Sequence, residues 1–346
     1  MKYVGYTLAG IVAVLTVAVL ALLFSANSSL DDSFRHTQAT QQLPLLNEVS
    51  AAGLVRISTD RGEFRARVAG LENDQGPLVV LLHGFPVTSA MWIDLITPLA
   101  QAGYRVVAFD QRGYSPAVRP IDVADYVVPE LVADVFAVVA AFGDKRFHLV
   151  GHDWGAAVGW SVVLTAPERI SSWTAMSIAH PAAFQAALEN DPDQQSKSAY
   201  FKVFQTPRVP ETLFSLGDFQ VLKGLYAGMP EANVAEYIAV LGEPGALTAA
   251  LNWYRAMAEL MPTSAEPQNM QVSVPTLFIW GNQDDAVGRR GVENMADYMS
   301  GPYSVIELDA GHWLIAEKQQ QAIEPILEHI QRYRGESNSA GVTLTN

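Results

Sequence analysis

The sequence predicts an α/β fold built on a mostly parallel, doubly wound sheet, with a long helical insertion near its middle. Three observations carry that expectation. Short apolar runs at Leu78–Leu82 and Arg146–Val150 read as buried strands, Pro275–Gly281 and Tyr303–Asp309 read as strands, and a further strand is expected to end near His180. The Ala/Val/Trp-rich stretch Ala156–Thr165 follows one of them directly and reads as a helix. Finally, the loops after these strands carry His, Gly and Asp, and a doubly wound sheet places functional groups at the carboxyl ends of its strands.

The strand at Arg146–Val150 runs into Gly151-His152-Asp153-Trp154-Gly155. Strand, G-x-x-x-G turn and helix make a nucleophile elbow, in which two glycines permit the sharp turn that lifts the central side chain into a cleft. The central residue here is aspartate rather than serine. A serine attacking saturated carbon would leave an ether that water cannot readily cleave. A carboxylate leaves an ester that can be hydrolysed, so Asp153 points to substitution at saturated carbon, as in epoxides or alkyl halides.

The remaining parts follow in chain order. Leu78–Leu82 ends in His83-Gly84-Phe85-Pro86, a loop that can aim a backbone N–H opposite the one after the nucleophile, so Phe85 and Trp154 are the expected oxyanion-hole donors. Pro275–Gly281 delivers Asn282-Gln283-Asp284-Asp285, and Asp284 is chosen over Asp285 for its place three residues after Gly281. Tyr303–Asp309 is followed by Ala310-Gly311-His312-Trp313. His312 is the expected general base and Asp284 the carboxylate that orients it. Among the other histidines, His83 and His152 are expected to buttress their loops, His148 lies in a strand, His36 in a polar linker and His329 on the surface of a terminal helix. His180 ends a strand at the cleft and could meet substrate.

Together the HGFP, GHDWG, WGNQD and AGHW segments resemble the epoxide hydrolases of the α/β-hydrolase superfamily, from about Leu54 to Arg334. The resemblance implies an α/β-hydrolase core at 51–181 and 268–334 with a helical cap inserted at 182–267. Within that insertion Tyr200-Phe-Lys-Val-Phe204-Gln205 and Leu251-Asn-Trp253-Tyr254-Arg255 resemble the family's two cap-tyrosine segments. It implies that Tyr200 and Tyr254 hydrogen-bond the oxirane oxygen, and Phe201, Phe204 and Trp253 are expected beside them as substrate contacts. A departing alkoxide needs a proton donor, and a phenol with a pKa of about 10 can serve at neutral pH. Two rivals stay open: a dehalogenase using the same Asp153–His312–Asp284 triad, and a non-catalytic protein that binds a small ligand in the same pocket. Phe85 stands where haloalkane dehalogenases often present an amide, and Trp154 where fluoroacetate-cleaving relatives carry arginine; neither kind of dehalogenase accounts for both tyrosines, and a non-catalytic protein would typically have lost a member of the triad.

At the amino terminus Tyr3–Phe24 carries no charge and is dominated by Ala, Val and Leu. At about 1.5 Å per residue it is long enough to cross a bilayer. Lys2 before it and Asp31–Asp32 after it predict a membrane anchor at 1–26 with the catalytic domain outside the cytoplasm; a cleaved signal peptide with secretion is the competitor. Residues 27–50 read as a linker and 335–346 as a disordered tail. A net charge of −14 argues against nucleic acid as partner. No histidine–carboxylate group has metal-ligand spacing, so no metal or organic cofactor is expected; the expected partners are a small apolar epoxide and water. The absence of cysteine excludes disulfides but identifies no compartment.

Overall fold

A computed structural model of the chain describes residues 37–259 and 270–335. The strands are β1 (Gly53–Thr59), β2 (Gly62–Ala69), β3 (Leu78–Leu82), β4 (Arg105–Phe109), β5 (Phe147–His152), β6 (Ile170–Met176), β7 (Thr276–Gly281) and β8 (Tyr303–Leu308). They form one sheet in the order β1-β2-β4-β3-β5-β6-β7-β8. β1 pairs β2 and β2 pairs β4 antiparallel, while every later pairing is parallel. This is the α/β-hydrolase fold with a mostly parallel sheet. The strand expected to end near His180 ends at Met176, and the chain turns there through Ser177 at φ 67° before the helix Pro181–Asn190.

Side-chain alternation explains the two layers. Val80 and Leu82 of β3 face a core with the helices Val128–Ala141 and Trp154–Thr165. Val79 and Leu81 face the opposite one, with Ile93–Gln101 and Gln319–Arg332. A sheet covered on both faces needs strands that are apolar at every position, which is why these runs read as continuous rather than alternating.

Between β6 and β7 lie the helices Pro181–Asn190, Pro192–Lys197, Tyr200–Gln205, Val209–Gly224, Glu231–Leu241 and Ala246–Arg255. The first two pack beside the loop after β7: Gln194 receives the Gly288 N–H at 2.8 Å and donates to the Ala286 carbonyl at 2.9 Å. The later ones lie against the loop after β3. Tyr226 Oη donates to the Pro86 carbonyl at 2.6 Å, and Phe85 packs against Phe204 and Phe214. Glu236 is held by Arg67 and, at 3.0 Å, by Arg65.

The expected anchor at 1–26, His36 and residues 336–346 of the expected tail lie outside the described residues. Among the described residues no single helix is long and apolar enough to cross a membrane. The described part of the expected linker is docked rather than free: Arg56 N–H donates to the Pro44 carbonyl at 2.9 Å and Thr37 donates to Glu243. His329 is also not a surface residue; it is 7% exposed and bonds the Pro275 carbonyl at 3.3 Å.

The elbow after β5 is the tightest point of the fold. A Cβ at Gly155 would stand 2.0 Å from the Leu82 carbonyl oxygen, and one at Gly151 would stand 2.4 Å from the Gly155 carbonyl. Both obstacles are backbone and cannot swing aside. Gly155→Ala is therefore expected to cost about 1–3 kcal/mol or more through overpacking, read as a lowered midpoint in urea unfolding, with β3 and the elbow forced apart.

Candidate active site

The elbow sets the backbone of Asp153 at φ 53° and ψ −125°, between the last residue of β5 and the first turn of the helix Trp154–Thr165. An L-residue rarely adopts this conformation, and strain of this kind is kept where the surroundings enforce it. The register of β3 with β5, in which Leu82 pairs Gly151, brings the loop after β3 against the Asp153 side chain. Phe85 N–H donates to Asp153 Oδ1 at 2.7 Å. A Cβ at Gly84 would stand 2.3 Å from that same oxygen, so only glycine allows this approach.

The other carboxylate oxygen faces histidine. His312 Nε2 lies 3.6 Å from Asp153 Oδ2, while His312 Nδ1 lies 2.9 Å from Asp284 Oδ2. Asp284 is buried, and its Oδ1 accepts the N–H groups of Ala286 at 2.7 Å and Val287 at 3.1 Å. Lys197 Nζ donates to the Asp284 carbonyl at 2.6 Å. Asp285, the alternative acid, is exposed. Burial by itself would depress the His312 pKa, but the Asp284 carboxylate, with Asp153 behind it, overcomes this and raises it to about 10. Burial likewise opposes ionisation of Asp284, yet the charge and hydrogen bond of His312 and the two backbone N–H groups pull its pKa below the usual range.

The His312 backbone is fixed as well. Its carbonyl oxygen lies 2.8 Å from His152 Nε2 and accepts the Ser177 hydroxyl at 3.4 Å, so residues at the ends of β5 and β6 both hold the base loop. Burial, with His312 close by, drives the His152 pKa down to about 4, which leaves its imidazole neutral. A neutral ring with Nε2 as donor suits a carbonyl partner.

Above Asp153 is a cavity of about 260 Å³, lined mainly by apolar side chains. Tyr200 and Tyr254 both line it, with ring centroids 6.1 Å apart. Tyr254 stands perpendicular to Trp154 at 5.0 Å and to Phe85 at 5.4 Å. Burial first, and the nearby Asp153 charge second in the case of Tyr200, raise both phenol pKa values; for Tyr254 the neighbouring Tyr200 adds to burial before Asp153 does. Both phenols therefore keep their protons.

These parts place one carboxylate between a backbone N–H and a histidine, with two phenols facing the same space. The α/β hydrolase fold family is matched over residues 77–319. Epoxide hydrolase 4 of Mus musculus is 30% identical over 313 residues, covering 86% of this chain and 85% of its own. The chain belongs to the α/β-hydrolase family and, within it, to the epoxide hydrolases. The AB hydrolase superfamily protein YfhM of Bacillus subtilis is 35% identical over 270 residues, covering 76% of this chain and 93% of its own. The crystal structure of an epoxide hydrolase from Bacillus megaterium in complex with an inhibitor superposes with a TM-score of 0.72 at 26% identity, covering 80% of this chain and 99% of that one.

Thus Asp153, Asp284, His312, Tyr200, Tyr254, Phe85 and Trp154 come together. Of the expected substrate contacts, Phe201 lines the cavity. The others are placed differently. Trp253 is fully buried, turned away from its neighbour Tyr254, and its indole donates to the Arg112 carbonyl at 3.0 Å. Phe204 packs behind the phenols, 5.0 Å from each. His180 caps the helix Pro181–Asn190, accepting the Ala182 N–H at 3.2 Å, and stacks on Tyr298 at 4.6 Å. Among the cavity-lining residues not foreseen are Ala157, Ser161, Leu164 and Thr165 of the helix after the elbow. Their helix is apolar all round, so no stripe marks its open face, although Ser161 and Thr165 are its only hydroxyl residues.

Because His312 is raised from 6.5 in the unfolded chain to about 10, its contribution to stability is fully present below pH 6.5 and is lost as pH rises through about 10. Urea titrations are expected to show the unfolding free energy falling across that window. In Asp284→Asn, which removes the main partner of the imidazolium, the slope should flatten; an unchanged slope would place the charge coupling elsewhere.

Proposed function

We propose that the protein hydrolyses an epoxide to a vicinal diol through an ester on Asp153. One observation carries the reading: Asp153 has one oxygen on the Phe85 N–H and the other facing His312, in an apolar cavity that two protonated phenols share. The helices between β6 and β7 would act as the cap that supplies those phenols.

Asp153 Oδ2 attacks one epoxide carbon from behind. The C–O bond to the ring oxygen breaks as an Oδ2–C bond forms, and the alkoxide takes a proton from Tyr200 or Tyr254. Oδ1 becomes the ester carbonyl and stays on the Phe85 N–H, so the oxyanion donor is in place before the second step begins. Esterification also removes one of the two negative charges beside His312. The imidazolium then loses a stabilising partner and its pKa falls, so its proton passes to the phenolate, which restores the tyrosine and frees His312 as the base at the stage that needs it. His312 takes a proton from water as the water oxygen bonds to the ester carbonyl carbon. The tetrahedral intermediate, held by Phe85 and Trp154 N–H, collapses with cleavage of the ester C–O bond. His312 protonates the departing alkoxide to give the diol, then takes the proton left on the regenerated Asp153 carboxyl, so that carboxylate and imidazolium are both restored. No step calls on a metal or an organic cofactor.

A dehalogenase would use the same triad but needs N–H donors toward halide, and the phenols would then stand idle. Parallel assays with epoxides and haloalkanes separate the two. Diol is expected from epoxides, at least 10³-fold reduced in Asp153→Asn, and about 10²-fold reduced in Tyr200→Phe/Tyr254→Phe, the range typical of a lost proton donor. Halide release without diol, or full activity in the double phenol variant, would contradict the proposal.

A further inference from the structure

The cavity over Asp153 has a direction. Its floor is one face of the helix Trp154–Thr165, where Ala157, Ser161 and Leu164 recur at intervals of four and three residues. From Asp153 to Thr165 that face runs for about 18 Å at 1.5 Å per residue. Thr165 is exposed, so the passage opens at the end remote from the reacting carboxylate. A cavity lined over such a length gives an extended chain a lane to lie along. Its walls are apolar, with Phe184, Met257 and Met270 among them, and the Ser161 hydroxyl is already directed back to the Ala157 carbonyl at 3.3 Å.

Two further features narrow the ligand. Among the described lining residues none is Lys, Arg or His, and the only charged one is Asp153. A ligand with an anionic tail would enter an apolar lane with no counter-charge, at the cost of leaving its charge in the water. A neighbouring cavity supplies no second arm. It has about 150 Å³ and lies behind His152 and Trp313, and neither Asp153 nor either phenol lines it, so it offers no room for a large substituent on the second epoxide carbon.

We infer that the substrate is a terminal epoxide bearing one neutral, linear apolar chain, which lies along Ala157, Ser161 and Leu164 with its end toward Thr165. The inference rests on the epoxide-hydrolase reading above and goes further by assigning the chain to this helix face.

The test is kcat/KM for diol formation by the full chain in a fixed detergent, across 1,2-epoxides from epoxybutane to epoxydecane. Each added methylene buried should raise kcat/KM by roughly twofold to fourfold. Methyl 7,8-epoxyoctanoate should exceed its free carboxylate by at least tenfold, and 1,2-epoxydecane should exceed an internal epoxydecane by a similar factor. In Ser161→Phe, which fills the lane midway, the gain per methylene should vanish beyond the shortest members. A flat series in the unmodified protein, or equal rates for ester and carboxylate, would overturn the lane while leaving the epoxide reading intact. No diol from any member would instead overturn the epoxide reading, and the inference with it.

Discussion

The close approach of the end of β3 and its loop to the elbow that carries Asp153 is the constraint on which the rest of the molecule depends. Gly84, Gly151 and Gly155 each sit where a Cβ would collide with the Asp153 side chain or with main chain at 2.0–2.4 Å. That closeness puts the Phe85 N–H on Asp153 Oδ1 and fixes which oxygen remains free to react. It also requires the parallel register of β3 and β5, since a one-residue slip would carry the loop away from the elbow. The positive φ at Asp153 is the local cost of this arrangement, and the packed layers on both faces of the sheet hold it in place.

The second dependency is electrostatic. His312 sits between two carboxylates, and its charge responds to whichever of them is present. Asp284 is permanent, anchored by two backbone N–H groups and by burial. Asp153 is the variable member, since the proposed ester removes its charge. In the proposed cycle the same imidazole would hold a proton in the resting protein and, once that proton has passed to the phenolate, accept one from water. The loop carrying it is pinned through its carbonyl to His152 and Ser177.

Much of this was legible in the sequence because it is local. Strands buried on both faces are continuous apolar runs, and the elbow and the acid loop each directly follow one, while the base loop follows the partly exposed edge strand β8. Asp284 could be distinguished from Asp285 by counting from Gly281. What was illegible depends on side-chain direction. Trp253 and Tyr254 are neighbours on one helix, about 100° apart around its axis, and only the second reaches the cavity. Phe204 and His180 were near enough to the site to be named, but one backs the phenols and the other caps a helix. The lane along Ala157, Ser161 and Leu164 was hidden for the opposite reason: a helix apolar on every side gives no clue to which face is left open.

Single-turnover hydrolysis in 18O-labelled water, with enzyme in excess over epoxide, tests the covalent account most directly. The account predicts that the first diol contains no 18O, because its new oxygen comes from Asp153, and that the label appears in the Asp153 carboxylate. Diol already carrying 18O in the first turnover would mean that water attacks the epoxide directly, with Asp153 reduced to a base.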